Sequence, residues 1–236
     1  MKKTTSKKQL EVILNHANAL LMTYRAIDAQ NVLRPALDMV EGKGVTWQLK
    51  SAVYHDMGQA LYQQGQFEDA MHFFIQSYEV AEDGNDKAAV ANLIAGYYFQ
   101  EGDTAAARDY AEKALATATA PELKSRPYQI QGGIAFKEGD CPKALELMNK
   151  AAMFAEESHC ITDLAMIIMD ISVVYMKMGH KATALSEVYR AERYVKECHN
   201  LDLYMRCAIR GAKILYSMGK DEEAKRLVCA LDEQKC

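Results

Sequence analysis

Two pairs of soft-ligand residues, His159-Cys160 and Cys198-His199, place their histidines 40 positions apart. Two thiolates and two imidazoles are a donor set that tetrahedral zinc accepts, provided the four can converge at about 2 Å. A second candidate, "GKGV" from Gly42, has a Gly-Lys pair but lacks the remaining glycines and the Ser/Thr of a phosphate loop. It reads as a linker. No histidine has a sequence partner that points to nucleophilic catalysis. Whether any of these groups can act depends on the elements that carry them.

Those elements are repeats. "MGQALYQQGQFEDAMHFF", Met57 to Phe74, shares its skeleton with "AGYYFQEGDTAAARDY", "GGIAFKEGDCPKALEL", "SVVYMKMGHKATALSE" and "AKILYSMGKDEEAKRL". Aligned glycines fall at Gly65, Gly102, Gly139, Gly179 and Gly219, with spacings of 37, 37, 40 and 40 by subtraction. A period of this length signals a solenoid. Each unit reads as an apolar helix, a glycine turn and a second helix carrying Ala five residues on: Ala70, Ala107, Ala144, Ala184 and Ala224. Gly58, Ala95, Gly132, Ser172 and Ala212 stand seven before the turn glycine. Two antiparallel helices approach closely only where neither has bulk, and the turn glycine supplies the left-handed residue that ends the first helix. A third small position twelve after the glycine (Ser77, Ala114, Ala151, Ala191) is expected to meet the next unit. Asp103 and Asp140 read as N-caps, Pro142 sits in a first helical turn, and Ser125 with Pro127 is expected to open a helix.

The expected architecture is all-α, a right-handed α-solenoid of about six helix-turn-helix units forming one domain over residues 1–236. Residues 1–45 form a degenerate first repeat and 46–236 five clearer ones. In the first, Ile13, Ala17 and Leu20 fall in one helix and Ala29, Leu33 and Ala36 in the other. Tyr24 replaces the turn glycine there, and Pro35 is expected to kink or interrupt the second helix. Stacking also argues against zinc, because equivalent loops of neighbouring repeats lie roughly 18 to 20 Å apart if helices pack at 8–10 Å. No metal and no cofactor are expected.

Composition narrows the partners. A net charge of −4 offers no basic face for nucleic acid, and "MKKTTSKK" reads as a solvated terminus. Glu11, Asn15 and His16 break up any signal-like apolar run. Asp170 interrupts "AMIIMDISVVYM", which is too short to span a bilayer. Six cysteines without a CxxC pair fit reduced thiols, so the expectation is a cytoplasmic protein with no membrane insertion. The Met-rich fifth unit (Met166, Met169, Met176, Met178) could provide an adaptable apolar surface.

The pattern resembles the tetratricopeptide repeat family. In the second unit Tyr54, Met57-Gly58, Leu61, Ala70, Phe74 and Ser77 hold the family's places, and Ala91, Ile94-Ala95, Tyr98, Ala107, Ala111 and Ala114 do so in the third. The period exceeds the family's usual one, and the longer units look like those of the kinesin light chain and spindle-adaptor branch, also common in bacterial regulators. The resemblance implies that first helices line a concave groove, with inward positions three before, one after and four after the small residue. That gives His55, Gln59 and Tyr62; Asn92, Gly96 and Phe99; Gln129, Gly133 and Phe136; Met169, Val173 and Met176; and Ile209, Lys213 and Tyr216. The expected partner-binding set is His55, Gln59, Tyr62, Asn92, Phe99, Gln129, Phe136, Met169, Met176, Lys213 and Tyr216. Large residues form a ladder beside amides that can both donate to and accept from a peptide backbone. Family members that grip a chaperone's C-terminal carboxylate need Asn where Asp170 and Gly133 stand here, although Arg206 and Arg210 hold two of the cationic places. Chaperone-tail binding is therefore not expected.

The expected function is a non-enzymatic adaptor or scaffold that holds a peptide segment of a partner protein, as a chaperone or assembly factor would. The alternative is a ligand-sensing regulator of a short peptide or small effector, which the absence of room for an output domain outside the repeats disfavours. Homo-oligomerisation through uncapped terminal repeats is a third expectation.

Overall fold

The computed structural model describes residues 2–42, 44–197 and 200–233. Its helices are α1 (Lys2–Met22), α2 (Ala26–Val40), α3 (Trp47–Gln63), α4 (Phe67–Val80), α5 (Gly84–Glu101) and α6 (Thr104–Thr117), followed by α7 (Glu122–Glu138), α8 (Cys141–Glu157), α9 (Ile161–Lys177), α10 (Lys181–Glu197), α11 (Leu201–Ser217) and α12 (Asp221–Glu233). Each helix packs on the next, and odd-numbered helices also touch across units, α1 with α3, α5 with α7 and α9 with α11. Contacts confined to neighbours make an all-α helical repeat solenoid. The long period goes into the helices: α7 through α11 run 17 residues each.

The turn glycines all adopt the left-handed conformation, from φ 75° at Gly219 to 91° at Gly139. At Gly139 its N–H reaches the Phe136 carbonyl and the Asp140 N–H the Ala135 carbonyl, the paired closure that satisfies the last carbonyls of a helix. Tyr24 makes the same pair, its N–H to Leu21 and that of Arg25 to Leu20, at φ 56°. The first unit therefore turns as the others do, with a side chain bearing the strain that glycine avoids. Ala17 and Ala29, seven before and five after Tyr24, are fully buried.

The small positions meet as their spacing requires. A Cβ on Gly58 would lie 2.8 Å from the Phe74 ring and 3.1 Å from the Ala70 carbonyl; one on Gly132 would lie 2.8 Å from Met148 Cγ and 3.3 Å from the Ala144 carbonyl. The residue twelve after the glycine behaves differently from expectation, since it closes on its own unit's first helix. Ser77 Oγ donates to the Ser51 carbonyl at 2.9 Å, and Ser125 Oγ donates to the Ala151 carbonyl at 3.0 Å. Ser51, Ala88, Ser125 and Ala165, fourteen before the first four turn glycines, are thus a further set of small buried positions.

Two local expectations are corrected. Ser125 does not open α7, which begins at Glu122 after Pro121. The serine is 3% exposed and spent on the Ala151 carbonyl, and Pro127 lies inside the helix. Pro35 likewise leaves α2 uninterrupted, because Leu33, Ala36 and Val40 are fully buried and packing holds the helix together. The expected caps form: Asp103 Oδ1 accepts from the Ala106 N–H and Asp140 Oδ1 from the Lys143 N–H, both at 3.0 Å. Tyr54 ties the first unit to the second, its hydroxyl donating to Glu41 Oε1 at 2.8 Å. Burial, reinforced by that carboxylate, pushes its pKa up to about 12.

Candidate functional site in the concave groove

The odd-numbered helices carry three overlapping clefts. The first, about 190 Å3, is lined by Gln59, Tyr62 and Asn92. It shares Gln100 and Arg126 with a second of about 540 Å3, whose walls include Phe99, Gln129, Gly133 and Phe136. That one shares Met169, Val173, Arg206 and Arg210 with a third of about 430 Å3, where Met176, Ile209 and Lys213 join. The shared residues make the three one channel running from α3 to α11.

The first three rings of the ladder each contact the next unit. Tyr62 Oη donates to Gln100 Oε1 at 3.4 Å. Lys137 Nζ lies 4.1 Å from the Phe99 centroid and donates to the Phe99 carbonyl at 3.1 Å; Lys177 repeats this on Phe136 at 4.5 Å and 3.1 Å. Lys181 Nζ donates to the Ser217 carbonyl at the end of α11. A cation against a π face and the negative end of a helix is favourable on both counts. These lysines were missed from the sequence, although Gln100, Lys137 and Lys177 each directly follow a ladder residue. Gly133 seats the Phe99 ring, which would stand 2.6 Å from a Cβ there.

The amides are committed. Asn92 Nδ2 donates to the Leu123 carbonyl at 2.9 Å, tying α5 to the first turn of α7, while its buried Oδ1 finds no partner. Gln129 Nε2 donates to Asp170 Oδ2 at 2.8 Å, and its Oε1 accepts from Arg126 at 3.1 Å. Asp170 is mostly buried, and loss of water raises its pKa; the Gln129 bond and the charges of Arg210, Arg126 and Arg206 pull the other way. Arg126, which sequence reasoning did not single out, has room because Gly96 faces it: a Cβ there would meet its guanidinium at 3.3 Å.

Other expected residues lie elsewhere. His55 bonds Asp56 Oδ1 at 3.1 Å and leans over Phe74, and Tyr216 is 47% exposed; neither lines a cleft described above. Met169 is 3% exposed and forms floor, with the Cys207 thiol donating to its sulfur at 3.2 Å. Burial pushes that thiol's pKa up to about 11, which makes it inert. Of the four soft ligands, Cys198 and His199 lie outside the described residues. Cys160 donates to Asp163 Oδ2 at 3.1 Å, and burial followed by that bond raises its pKa, disfavouring the thiolate a metal needs. Among the described residues no helix is long and apolar enough to cross a membrane.

Residues 51–83, covering most of α3 and all of α4, match the family model described as Tetratricopeptide repeat. No curated protein matches the chain. Among solved structures it is similar to the apo form of RapI (TM-score 0.74, 16% identity, covering 94% of this chain and 64% of that one). It is also similar to aspartyl phosphate phosphatase F from Bacillus subtilis (0.69, 12%, 96% and 75%). A Rap protein complexed with competence and sporulation factor gives 0.69 and 17%, with 97% and 76% covered. The chain thus spans less than two thirds of RapI. One repeat thus matches the tetratricopeptide repeat by sequence, and the fold of the whole chain is similar to that of these solved repeat structures.

Proposed function

We propose that the protein is a non-enzymatic interaction module that holds an extended segment of a protein or peptide partner in its concave groove. The observation that carries this is the continuous channel from α3 to α11, apolar along Phe99, Phe136 and Met176 and polar along Gln129 and the arginines. A channel of that length suits a chain better than a compact metabolite. The similarity to a Rap protein seen with its bound factor agrees with a binding role for this fold. A regulatory reading has its own support: Tyr62–Gln100, Lys137–Phe99 and Gln129–Asp170 each join neighbouring units across the groove, so an occupant that rearranged them would alter the stacking.

Panning of a random peptide library tests the reading. Selected peptides are expected to slow amide exchange in α5, α7, α9 and α11, and to lose affinity for a Phe99→Ala/Phe136→Ala variant that remains helical. Peptides that protect α4, α8 or α12 instead, or that bind the variant equally well, would sink it.

A further inference from the structure

The two ends of the solenoid break the burial pattern that its middle keeps. Twelve residues before the turn residue, Val53, Val90, Pro127, Ile167 and Cys207 are all buried, whereas Val12 of the first unit is 67% exposed. Nine after it, Leu33, Phe74, Ala111, Met148 and Val188 are all buried, whereas Val228 of the last unit is 41% exposed. The contacts explain both exceptions. Cys207 of α11 meets Met169 of the preceding unit, sulfur to sulfur at 3.2 Å, and Val188 of α10 packs on the following unit, 3.5 Å from a Cβ built on Gly211 of α11. The first position is thus closed by the unit before and the second by the unit after, and at Val12 and Val228 those neighbours are missing among the described residues. Ala19, at the place of the buried Ile214, and Ile209, at the place of the buried Met169, are exposed for the same reason.

Charge distinguishes the two ends. α1 carries four lysines against one glutamate, and α12 five acidic residues against two basic ones. A first helix stacked on α12 as a following unit would run antiparallel to it. The lysine-bearing start of α1 would then fall beside the carboxyl end of α12, where Asp232 and Glu233 stand in the sequence. Cations at a helix N-terminus oppose that helix's own dipole and gain from the negative end of a neighbour. A 17-residue helix is about 25 Å long and two packed helices are about 20 Å wide, so each end offers about 500 Å2. The resulting contact of about 1,000 Å2 reaches the lower limit of specific interfaces, which suits a reversible association.

We propose that the chain associates end to end with a second copy of itself, α1 of one copy stacking on the α11–α12 face of the other as a following repeat would. Val12 of the second copy then sits on Ile209, as Cys207 sits on Met169, and its His16 faces Val228, as Gly211 faces Val188. Such a contact is heterologous, so it leaves one free end on each copy and extends into longer arrays. Neither Val12 nor Val228 lines a cleft described above, so self-association and peptide binding are separable.

Analytical ultracentrifugation of the full chain from about 1 µM to about 1 mM tests this. The weight-average mass is expected to rise with concentration past that of a dimer and to fall again with added salt. Val12→Asp and Val228→Asp should each weaken association about tenfold or more, since each places a carboxylate where the contact closes. Both side chains are exposed in the single chain, so the fold should tolerate the changes, and circular dichroism checks this. An equal mixture of the two variants separates end-to-end stacking from any symmetric contact. Val12→Asp keeps an intact α12 end and Val228→Asp an intact α1 end, so together they should form a dimer and stop there. A parent that stays monomeric over the whole range would overturn the proposal. So would a dimer that survives either variant, which marks a symmetric contact, or a mixture that stays as monomeric as its components.

Discussion

The two ends of the groove treat their polar groups in opposite ways. Along α3 and α5 the polar side chains are spent inside the protein: His55 on Asp56, Tyr62 on Gln100, Asn92 on the Leu123 carbonyl, around a cleft of about 190 Å3. Along α7 to α11, in a cleft of about 540 Å3, Arg206 and Arg210 keep their donors for solvent. The packing beneath differs as well. Gly58 is pressed by the Phe74 ring, whereas Gly132 is pressed by Cγ of Met148, with the Met148 backbone nitrogen and the Ala144 carbonyl at 3.3 Å. A repeat therefore fixes where a side chain points without fixing whether it is free, because freedom depends on what the next unit brings.

The largest expected effect tests the packing half of that contrast. Gly58→Ala drives a methyl against a ring that is 3% exposed and should destabilise by about 2 kcal/mol, while Gly132→Ala, relieved by a methionine rotamer, should lose about 1 kcal/mol or less. Urea unfolding of both variants checks this, and equal losses would erase the distinction between the halves. Next in size, Asn92→Ala should remove about 1 kcal/mol of stability through the bond to Leu123 and leave peptide affinity nearly unchanged, as expected of a residue committed inward. A loss of affinity without loss of stability would make the amino-terminal stretch a working surface too.

Smaller still, Tyr24→Gly should stabilise by about 0.5 kcal/mol, since the tyrosine is 87% exposed and its left-handed backbone is strained. A lower melting temperature would show that Tyr24 is held by more than its turn. The last effect is one of sign. Asp170 has its pKa raised above the unfolded value of about 3.9, by desolvation that outweighs Gln129 on α7 and the charges of Arg126, Arg206 and Arg210. Its contribution to stability is full below the unfolded pKa and lost as pH rises through the folded one. Asp170→Asn should thus melt higher than the parent at pH 8 and alongside it near pH 3. A parent that melts higher at pH 8 would mean that the arginines outweigh burial.

Much of the fold was legible because turns and close contacts act on residue type directly. A left-handed turn selects glycine, and a helix crossing selects Gly, Ala or Ser, so both leave a mark at fixed spacing whatever the neighbours are. Tyr24 illustrates the limit, since its place in the pattern was clear while its left-handed backbone is seen only in the fold. Ser125 and Pro127 misled because the same residue types that open helices also occur inside them when a buried hydroxyl finds a carbonyl on the paired helix, here that of Ala151. The candidate site was half legible. Ladder rings and amides followed from their positions, but the lysines on those rings and the cleft of Arg126, Arg206, Arg210 and Asp170 arise from residues up to 84 positions apart, Arg126 to Arg210.

The sequence by itself determined the repeat, its turns, its small contact positions and the helices that form the inner surface, since each depends on local sterics recurring at a constant interval. Only the tertiary structure decided which inward polar groups are consumed and which remain open. That outcome depends on distances between side chains of different units, and on the burial that separates a bonded amide such as Asn92 from an unpaired guanidinium such as that of Arg210.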